Sequence, residues 1–169
     1  LMNNAPIYNV DVSVAGSSEN TSYYNSLNYF KQEGIIIGSG IEKYIFRSNF
    51  DINLNDELKA GVRLNYSRIE KDNGSTGFGS AFGNLRTQAI YNPDGTYEGE
   101  NEVVGGPWAN PIAADELNTN ETAINNLLAT VYLEYSPAPK WTIRSTFSPE
   151  FDNTKQNLFI SSQNPNLLF

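Results

Sequence analysis

The chain has 169 residues with 19 acidic and 11 basic side chains, a net charge of −8, and neither His nor Cys. Without imidazoles and thiols, this chain cannot hold a Ser-His or Cys-His catalytic pair, a zinc finger, a haem, an iron–sulfur cluster or a disulfide. The apolar share of 39 % and the aromatic share of 12 % are too high for a disordered polymer, so we expect part of the chain to pack against an apolar phase.

Apolar and polar residues alternate with a period of two in several segments that are bounded by Gly, Asn, Asp and Pro. This pattern predicts six β-strands. In chain order they are Ile7 to Ala15, Ser22 to Lys31, Tyr44 to Asn53, Leu58 to Ile69, Asn126 to Tyr135 and Trp141 to Ser148. No run approaches the roughly 18 to 20 consecutive apolar residues of a membrane helix, so any membrane crossing would have to use strands.

Each predicted strand has one apolar and one polar face, because successive side chains of a strand point to opposite sides. In the first strand, Val10 and Val12 alternate with Asp11 and Ser13. The polar faces of the later strands carry charged residues, namely Arg47, Asp51, Lys59, Arg63, Glu134 and Arg144. Two architectures fit: a soluble β-sandwich with its apolar face under a second sheet, or the wall of a membrane barrel with a wet lumen.

The Tyr and Trp residues of the apolar face lie at the ends of the predicted strands, with aliphatic residues and Phe between them. One group, the upper girdle, is Tyr8, Tyr29, Tyr44 and Tyr66. The other group, the lower girdle, is Tyr23, Tyr135 and Trp141. Amphipathic aromatic rings favour a membrane–water interface. The two groups therefore favour an all-β, antiparallel, up-and-down transmembrane β-barrel over a sandwich.

The connections between predicted strands alternate between short and long, as they do in membrane barrels with short periplasmic turns and long extracellular loops. The longest, from about 70 to 125, holds most of the excess negative charge and is rich in Gly, Asn, Thr and Pro. Its charge repels phosphate backbones, so we expect no nucleic-acid partner. Six strands are too few for a closed membrane barrel, so we expect residues 1–169 to be part of one larger barrel domain.

Two sequence segments resemble a barrel hairpin of the SusC/RagA family of TonB-dependent outer-membrane transporters. They are Tyr-Asn-Val-Asp-Val-Ser-Val-Ala-Gly at 8–16 and Ser-Tyr-Tyr-Asn-Ser-Leu-Asn-Tyr-Phe-Lys-Gln-Glu-Gly-Ile at 22–35. The segments 91–97 and 110–113 are similar to that family as well, and the resemblance runs from about Tyr8 to Phe147.

The resemblance implies that the chain belongs to a non-enzymatic importer in the outer membrane of a Gram-negative bacterium. It implies glycan oligomers or peptides as substrates and a SusD-like surface lipoprotein as a lid. It also implies contact with the TonB complex through a plug region that this chain lacks, and contact of the wall with outer-membrane lipid. A soluble, secreted glycan-binding β-sandwich that uses Trp108 and Trp141 is the main alternative, and a secreted hydrolase is the third.

Three aromatic residues of the long loop are candidates for substrate contact. Trp108 follows two glycines and a proline and could stack on a sugar ring or a peptide side chain; alternatively, it anchors the loop against the barrel or the lid. Tyr91 and Tyr97 flank a Pro-Asp-Gly turn and are expected to shape a hairpin.

Charged residues supply the remaining candidates. Arg47, Arg63 and Arg144 could line the substrate path, or they could form cross-strand ion pairs or contact the plug. Glu98, Glu100 and Glu102 would share one face of an extended segment and could attract Ca²⁺, although a solvated acidic loop is the commoner explanation. No catalytic residue is predicted.

Overall fold

The structure, a computed structural model, describes residues 4–74, 89–98 and 110–164. In these ranges the chain forms seven β-strands and one short helix. In chain order they are β1 (Ile7–Ser17), β2 (Thr21–Glu33), β3 (Ser39–Asn53), β4 (Leu58–Asn73), α1 (Pro111–Leu117), β5 (Thr119–Ala138), β6 (Trp141–Phe147) and β7 (Glu150–Phe159). No helix within the described ranges has the length and apolarity to cross a bilayer.

All strands belong to one sheet, in which neighbours are antiparallel and the spatial order follows the chain from β1 to β6. β7 also pairs with β5. Short turns connect β1 to β2, β3 to β4 and β5 to β6 at one end of the sheet, the short-turn end. The opposite, long-loop end carries the long connection from β4 to β5 and a short one, residues 34–38, from β2 to β3. The prediction of a long connection from Gln32 to Lys43 is wrong, because both flanking strands extend into it. The predicted up-and-down meander is confirmed.

β6 and β7 are two parts of one interrupted strand, which pairs with β5 along its length. Val131 of β5 lies opposite Phe147, and Leu128 lies opposite Glu150, three residues further along each strand. The register is therefore unchanged across the break. Pro149 has no N–H to donate to β5, but its carbonyl still accepts a hydrogen bond of 3.1 Å from the backbone N–H of Ala129. The predicted strand end at Ser148 is wrong, because this proline interrupts a strand without ending it.

The strands also extend further toward the long-loop end than the sequence predicted. β3 begins at Ser39 rather than Tyr44, β4 ends at Asn73 rather than Ile69, and β5 begins at Thr119 rather than Asn126. Charged residues occupy both faces of the β3 and β4 extensions, and the β5 extension is mostly polar, which hides the alternation from sequence analysis. The connection between β4 and β5 accordingly shrinks from about 70–125 to 74–118. Of the upper girdle, Tyr29, Tyr44 and Tyr66 therefore lie inside their strands, whereas Tyr8 is at the start of β1.

The apolar face of the sheet has no second layer over it among the described residues. Val12 is 65 % exposed and Leu27 is 57 % exposed, although both lie in the middle of their strands. Within those residues the only buried apolar side chain is Ala113 of α1. The sheet therefore builds no core of its own, and we call its apolar side the outward face and its polar side the lumen face.

The upper girdle crosses the sheet obliquely. Tyr29 and Tyr44 are directly opposite each other. Tyr8 lies opposite Lys31, which is two residues from Tyr29 toward the long-loop end. Tyr66 lies opposite Phe46, which is two residues from Tyr44 toward the short-turn end. The girdle thus shifts by four residues along the strands over three strand spacings. From ordinary strand dimensions this shift is a tilt of roughly 45°, close to that of strands in membrane barrels.

The lower girdle has the same slope. Tyr23 lies in one cross-strand row with Phe50, Val62 and Val131, and Tyr135 follows Val131 by four residues on β5. The shift is again four residues over three spacings, in the same direction. Two parallel aromatic lines bordering one apolar band are what a flat membrane would select on a tilted sheet.

Candidate functional site

The centre of the lumen face is a cluster formed by Asp51 of β3, Arg63 of β4 and Tyr132 of β5. Arg63 binds Asp51 with both terminal nitrogens, at 3.0 to 3.2 Å. The Tyr132 hydroxyl donates to Asp51 Oδ1 at 2.6 Å from two strands away. The carboxylate is therefore shared by a guanidinium and a phenol, and the alternating pattern places all three side chains on the polar side.

Arg144 of β6 joins the cluster from the other side of Tyr132. Its guanidinium carbon lies 4.0 Å from the centre of the Tyr132 ring, and that of Arg63 lies 5.6 Å from it. Arg144 also lies 3.8 Å from the Glu134 carboxylate directly opposite. A ring between two cations is a favourable arrangement. The predicted cross-strand ion pairs are thus present, and they bring Arg63 and Arg144 together.

Gly61 makes the cluster possible. It lies between Asp51 and Tyr132 in one cross-strand row. A Cβ at this position would lie 2.6 Å from Cζ of Tyr132 and would also collide with Asp51 Oδ1. The missing side chain leaves a channel through which the phenol reaches Asp51.

Arg47 lies apart from this cluster but on the same face. With Arg63, Asn65 and Thr130 it lines a depression of about 120 Å³. The side-chain oxygen of Asn65 is buried there and accepts no hydrogen bond from the described residues. The depression therefore offers cationic donors on a polar surface, whereas the buried Asn65 oxygen is not accessible to a ligand.

Tyr91 and Tyr97 meet in the long loop, as predicted from the turn between them. They form a β-bridge, with ring centres 5.3 Å apart and planes tilted by 38°. The Asn92 N–H donates to the Thr96 carbonyl at 2.7 Å, and Gly95 adopts a φ of 86° that a side chain would disfavour. Tyr91 is 48 % exposed.

The Asp94 side chain stabilises this turn by accepting hydrogen bonds inside it. Its Oδ1 accepts hydrogen bonds from the hydroxyl and the backbone N–H of Thr96, at 2.6 and 3.0 Å. These donors, the hydroxyl first, lower the pKa of Asp94 below its ordinary value, because they stabilise the charged carboxylate.

Asn110 joins this hairpin to α1. Its amide nitrogen donates to the carbonyls of Ile90 and Glu98 at 2.8 and 3.0 Å. Its amide oxygen accepts from the backbone N–H groups of Ile112 and Ala113, which caps the helix. Only 4 % of Asn110 is exposed. One side chain therefore holds both ends of the hairpin and the start of the helix.

A second contact links the same two elements. The Tyr97 hydroxyl donates a hydrogen bond to the Glu116 carboxylate of α1. The hydrogen bond to this acceptor raises the pKa of Tyr97 to about 12, because it stabilises the neutral phenol; partial burial and the negative charge of Glu116 act in the same direction. We call residues 90–98 and 110–117 together the loop module.

Several predicted residues lie outside the described part of the chain. Trp108, Glu100 and Glu102 are among them, whereas Glu98 ends the hairpin and is described. Among the described residues, no group of three or more acidic side chains is placed to hold a metal ion. The Trp108 contact and the Ca²⁺ site therefore stay predictions.

The chain has close relatives among proteins of known class. Over all 169 residues it is 64 % identical to TonB-dependent receptor P26 of Formosa agariphila, and it spans 17 % of that protein's length. It is 30 % identical over 164 residues to TonB-dependent receptor P3 of the same organism, which covers 90 % of this chain and 16 % of the relative. The chain is related to TonB-dependent receptors. This relationship confirms the family resemblance, while a scan against protein-family models found no match.

Solved structures confirm the fold. The chain superposes on the RagAB peptide transporter with a TM-score of 0.71 at 22 % identity, over 93 % of this chain and 19 % of that one. On the RagAB peptide importer in its closed-closed state the TM-score is 0.75 at 21 % identity, over 98 % of this chain and 20 % of that one. The open sheet is thus an antiparallel, up-and-down transmembrane β-barrel segment.

Sequence analysis missed Asn110, Glu116, Gly61 and Tyr132 as parts of these sites. The pair Asn110-Pro111 did carry a signal, because Asn favours the N-cap and Pro the first helical turn. Tyr132 gave none, since an aromatic residue on a polar strand face is identified only once its partner two strands away is known.

Proposed function

We propose that this chain forms part of the wall of a TonB-dependent importer in the outer membrane of a Gram-negative bacterium. The observation that carries the proposal is the pair of parallel, oblique girdles bordering an exposed apolar face. The relatives named as TonB-dependent receptors support energised import. Residues 1–169 would then form one part of a single barrel domain, with the plug and further strands supplied by other parts of the protein.

The substrates that we propose are peptides or glycan oligomers, delivered under a SusD-like lipoprotein. The peptide class has support from the fold neighbour, which is a peptide transporter. A non-enzymatic role is supported by the state of the lumen carboxylates: Asp51 is held by Arg63 and Tyr132, and Glu134 faces Arg144. Both carboxylates therefore serve cross-strand pairing.

The loop module is the part of the chain that we propose for contact with substrate or lid. It offers a tyrosine pair, with Tyr91 exposed and Tyr97 half-buried, on a hairpin that Asn110 and Glu116 hold in place. Rigid aromatic rings give stacking surface at a low cost in conformational entropy. Trp108 would add a third ring to the same loop.

Inside the lumen, we propose Arg47, Arg63 and Arg144 as residues along the substrate path. Arg47 and Arg63 line the depression that also holds the buried amide oxygen of Asn65. Carboxylates and hydroxyl groups, which peptides and glycans carry, are the natural partners of such donors.

Deleting and restoring the full-length receptor in its host tests the function. Wild-type receptor should fractionate with the outer membrane and restore TonB-dependent uptake of labelled peptide or oligosaccharide. The double variant Tyr91→Ala/Tyr97→Ala should lower uptake while leaving the amount of receptor in the membrane unchanged, and Tyr8→Ala is the matched control outside the loop. A receptor found in the soluble fraction, or equal uptake with and without TonB, would overturn the proposal.

A further inference from the structure

Charged residues follow the upper girdle directly on the outward face. Counting two residues toward the long-loop end, Tyr29 is followed by Lys31, Tyr44 by Glu42, and Tyr66 by Arg68. Glu70 is the next outward residue on β4. We call Lys31, Glu42, Arg68 and Glu70 the collar. Because its members share a strand face with the apolar band, the collar continues the lipid-facing surface beyond the aromatic ring.

The two bases of the collar are held in place by its two acids. Lys31 Nζ lies 2.8 Å from Glu42 Oε1, and Arg68 donates from Nε and Nη2 to Glu70 Oε1 at 2.8 and 2.5 Å. Glu42 also accepts from the Tyr44 hydroxyl at 3.1 Å. Within the described part of the chain, Arg68 Nη1 and the remaining ammonium hydrogens of Lys31 make no further hydrogen bond, so they can serve as donors to a ligand.

A groove of about 610 Å³ runs along the collar. Its lining has four basic side chains and five acidic ones, and Ile36 and Ile37 of the β2–β3 turn add apolar surface. The bases are Lys31, Arg68, Lys71 and Lys155, and the acids are Glu33, Glu42, Glu70, Asp72 and Glu121. Its volume lies in the range of small-molecule sites. A ligand there would meet cations, carboxylates and apolar surface together, as an amphipathic headgroup requires.

We propose that the collar binds the phosphate-bearing headgroup of an outer-leaflet glycolipid, with Lys31 and Arg68 as its phosphate ligands. The two bases lie two strands apart, on the order of 10 Å, and directly outside the ring that marks the membrane surface. Bases at this height attract lipid phosphates, and a guanidinium matches phosphate oxygens in geometry. The four collar charges cancel, so the collar itself carries no net charge against the ligand. The proposal rests on the outer-membrane location proposed above.

Native mass spectrometry of the delipidated, detergent-purified full-length receptor, titrated with lipid A, tests the site. The double variant Lys31→Gln/Arg68→Gln should bind lipid A about tenfold more weakly. Lys43→Gln is the matched control, because Lys43 lies between Glu42 and Tyr44 in sequence but on the lumen face; it should bind as wild type. The swap Lys31→Arg/Arg68→Lys should retain binding and guards against a folding defect.

Three results would overturn the collar site. They are unchanged lipid A binding by the double variant, equal binding of dephosphorylated lipid A by the wild type, and competition by inorganic phosphate as strong as that by the lipid. The same variants are assayed for membrane insertion and substrate uptake. Normal insertion and uptake with failed lipid binding would remove only the collar, whereas failure of the wild type to insert would remove the proposed function.

Discussion

Gly61 is the residue on which the lumen cluster depends, because the Tyr132 ring occupies the space where a side chain would stand. Gly61→Ala should turn that ring away from Asp51 and cost about 1–3 kcal/mol, as overpacking does elsewhere. The urea-unfolding midpoint of the full-length receptor measures this cost. Gly40→Ala is the control: a Cβ there meets only the Gln32 carbonyl at 3.4 Å and Cα of Glu33 at 4.0 Å, so its midpoint should stay the same. Equal midpoints for the two variants would contradict the cluster.

Asn110 combines two roles that a pair of substitutions can separate. Asn110→Ala removes the helix cap and the two donors to the hairpin, and should cost about 1 kcal/mol for the cap alone. Asn110→Asp keeps the capping oxygen but cannot donate to the carbonyls of Ile90 and Glu98. Hydrogen–deuterium exchange should therefore show lost protection in both elements for Ala, and in the hairpin alone for Asp. Protection of the hairpin in the Asp variant would contradict the assigned bonds.

At the residue scale, sequence patterns predicted those contacts whose partners are local or directly opposite. The Tyr91–Tyr97 hairpin follows from a Pro-Asp-Gly turn, and the mixed charges on neighbouring strands indicated that Arg63 and Arg144 would find acids. The contact from Tyr132 to Asp51 spans 81 positions of the chain. It depends on the register of three strands, which alternation alone does not fix.

At the scale of elements, the loop module should respond to high pH through Tyr97. The Glu116 contact needs the neutral phenol, so its stabilisation is complete below the ordinary tyrosine pKa near 10 and is lost as the pH rises through about 12. Ultraviolet difference titration of wild type against Tyr97→Phe should show one tyrosine with a midpoint near 12. In Glu116→Ala the same tyrosine should titrate near 10. A midpoint near 10 in the wild type would contradict the contact.

The strands were predicted well in the regions where one face is apolar, and poorly in the regions where both faces carry polar or charged residues. Within the apolar band, alternation located all six strand positions of the sheet, with β6 and β7 counted as one interrupted strand. Beyond the upper girdle, Glu42 and Glu70 put charges on the outward face as well, so the sequence analysis took the start of β3 and the end of β4 for loop. β7 was missed for a different reason: Pro149 is a usual strand terminator, but here it keeps its acceptor bond to β5.

For the whole molecule, the cost of introducing a charged side chain should depend on whether it is placed on the outward face or on the lumen face. Val12→Arg and Leu64→Arg place a cation on the outward face between the girdles and should each cost roughly 2–4 kcal/mol near the bilayer midplane. Asn65→Arg, on the lumen face next to Leu64, should cost little. Folding of the full-length receptor into lipid vesicles over a urea series measures all three. Equal costs for Leu64→Arg and Asn65→Arg would contradict the assignment of faces.

The overall architecture was predictable because a membrane wall imposes simple rules of alternation, girdles and connection lengths. The tilt was not, since it appears only when the register of four strands is known. It explains why tyrosines that lie in different cross-strand rows can share one depth.

The depth of the upper girdle tests the membrane account most directly. Spin labels placed by Tyr8→Cys and Tyr66→Cys in the full-length receptor, reconstituted in bilayers, report depth from their relative accessibility to oxygen and to a water-soluble nickel complex. Both labels should report the same interfacial depth, although their positions lie four residues apart along the strands. A depth difference of about 13 Å, as untilted strands would give, or full exposure of both labels to the nickel complex, would contradict it.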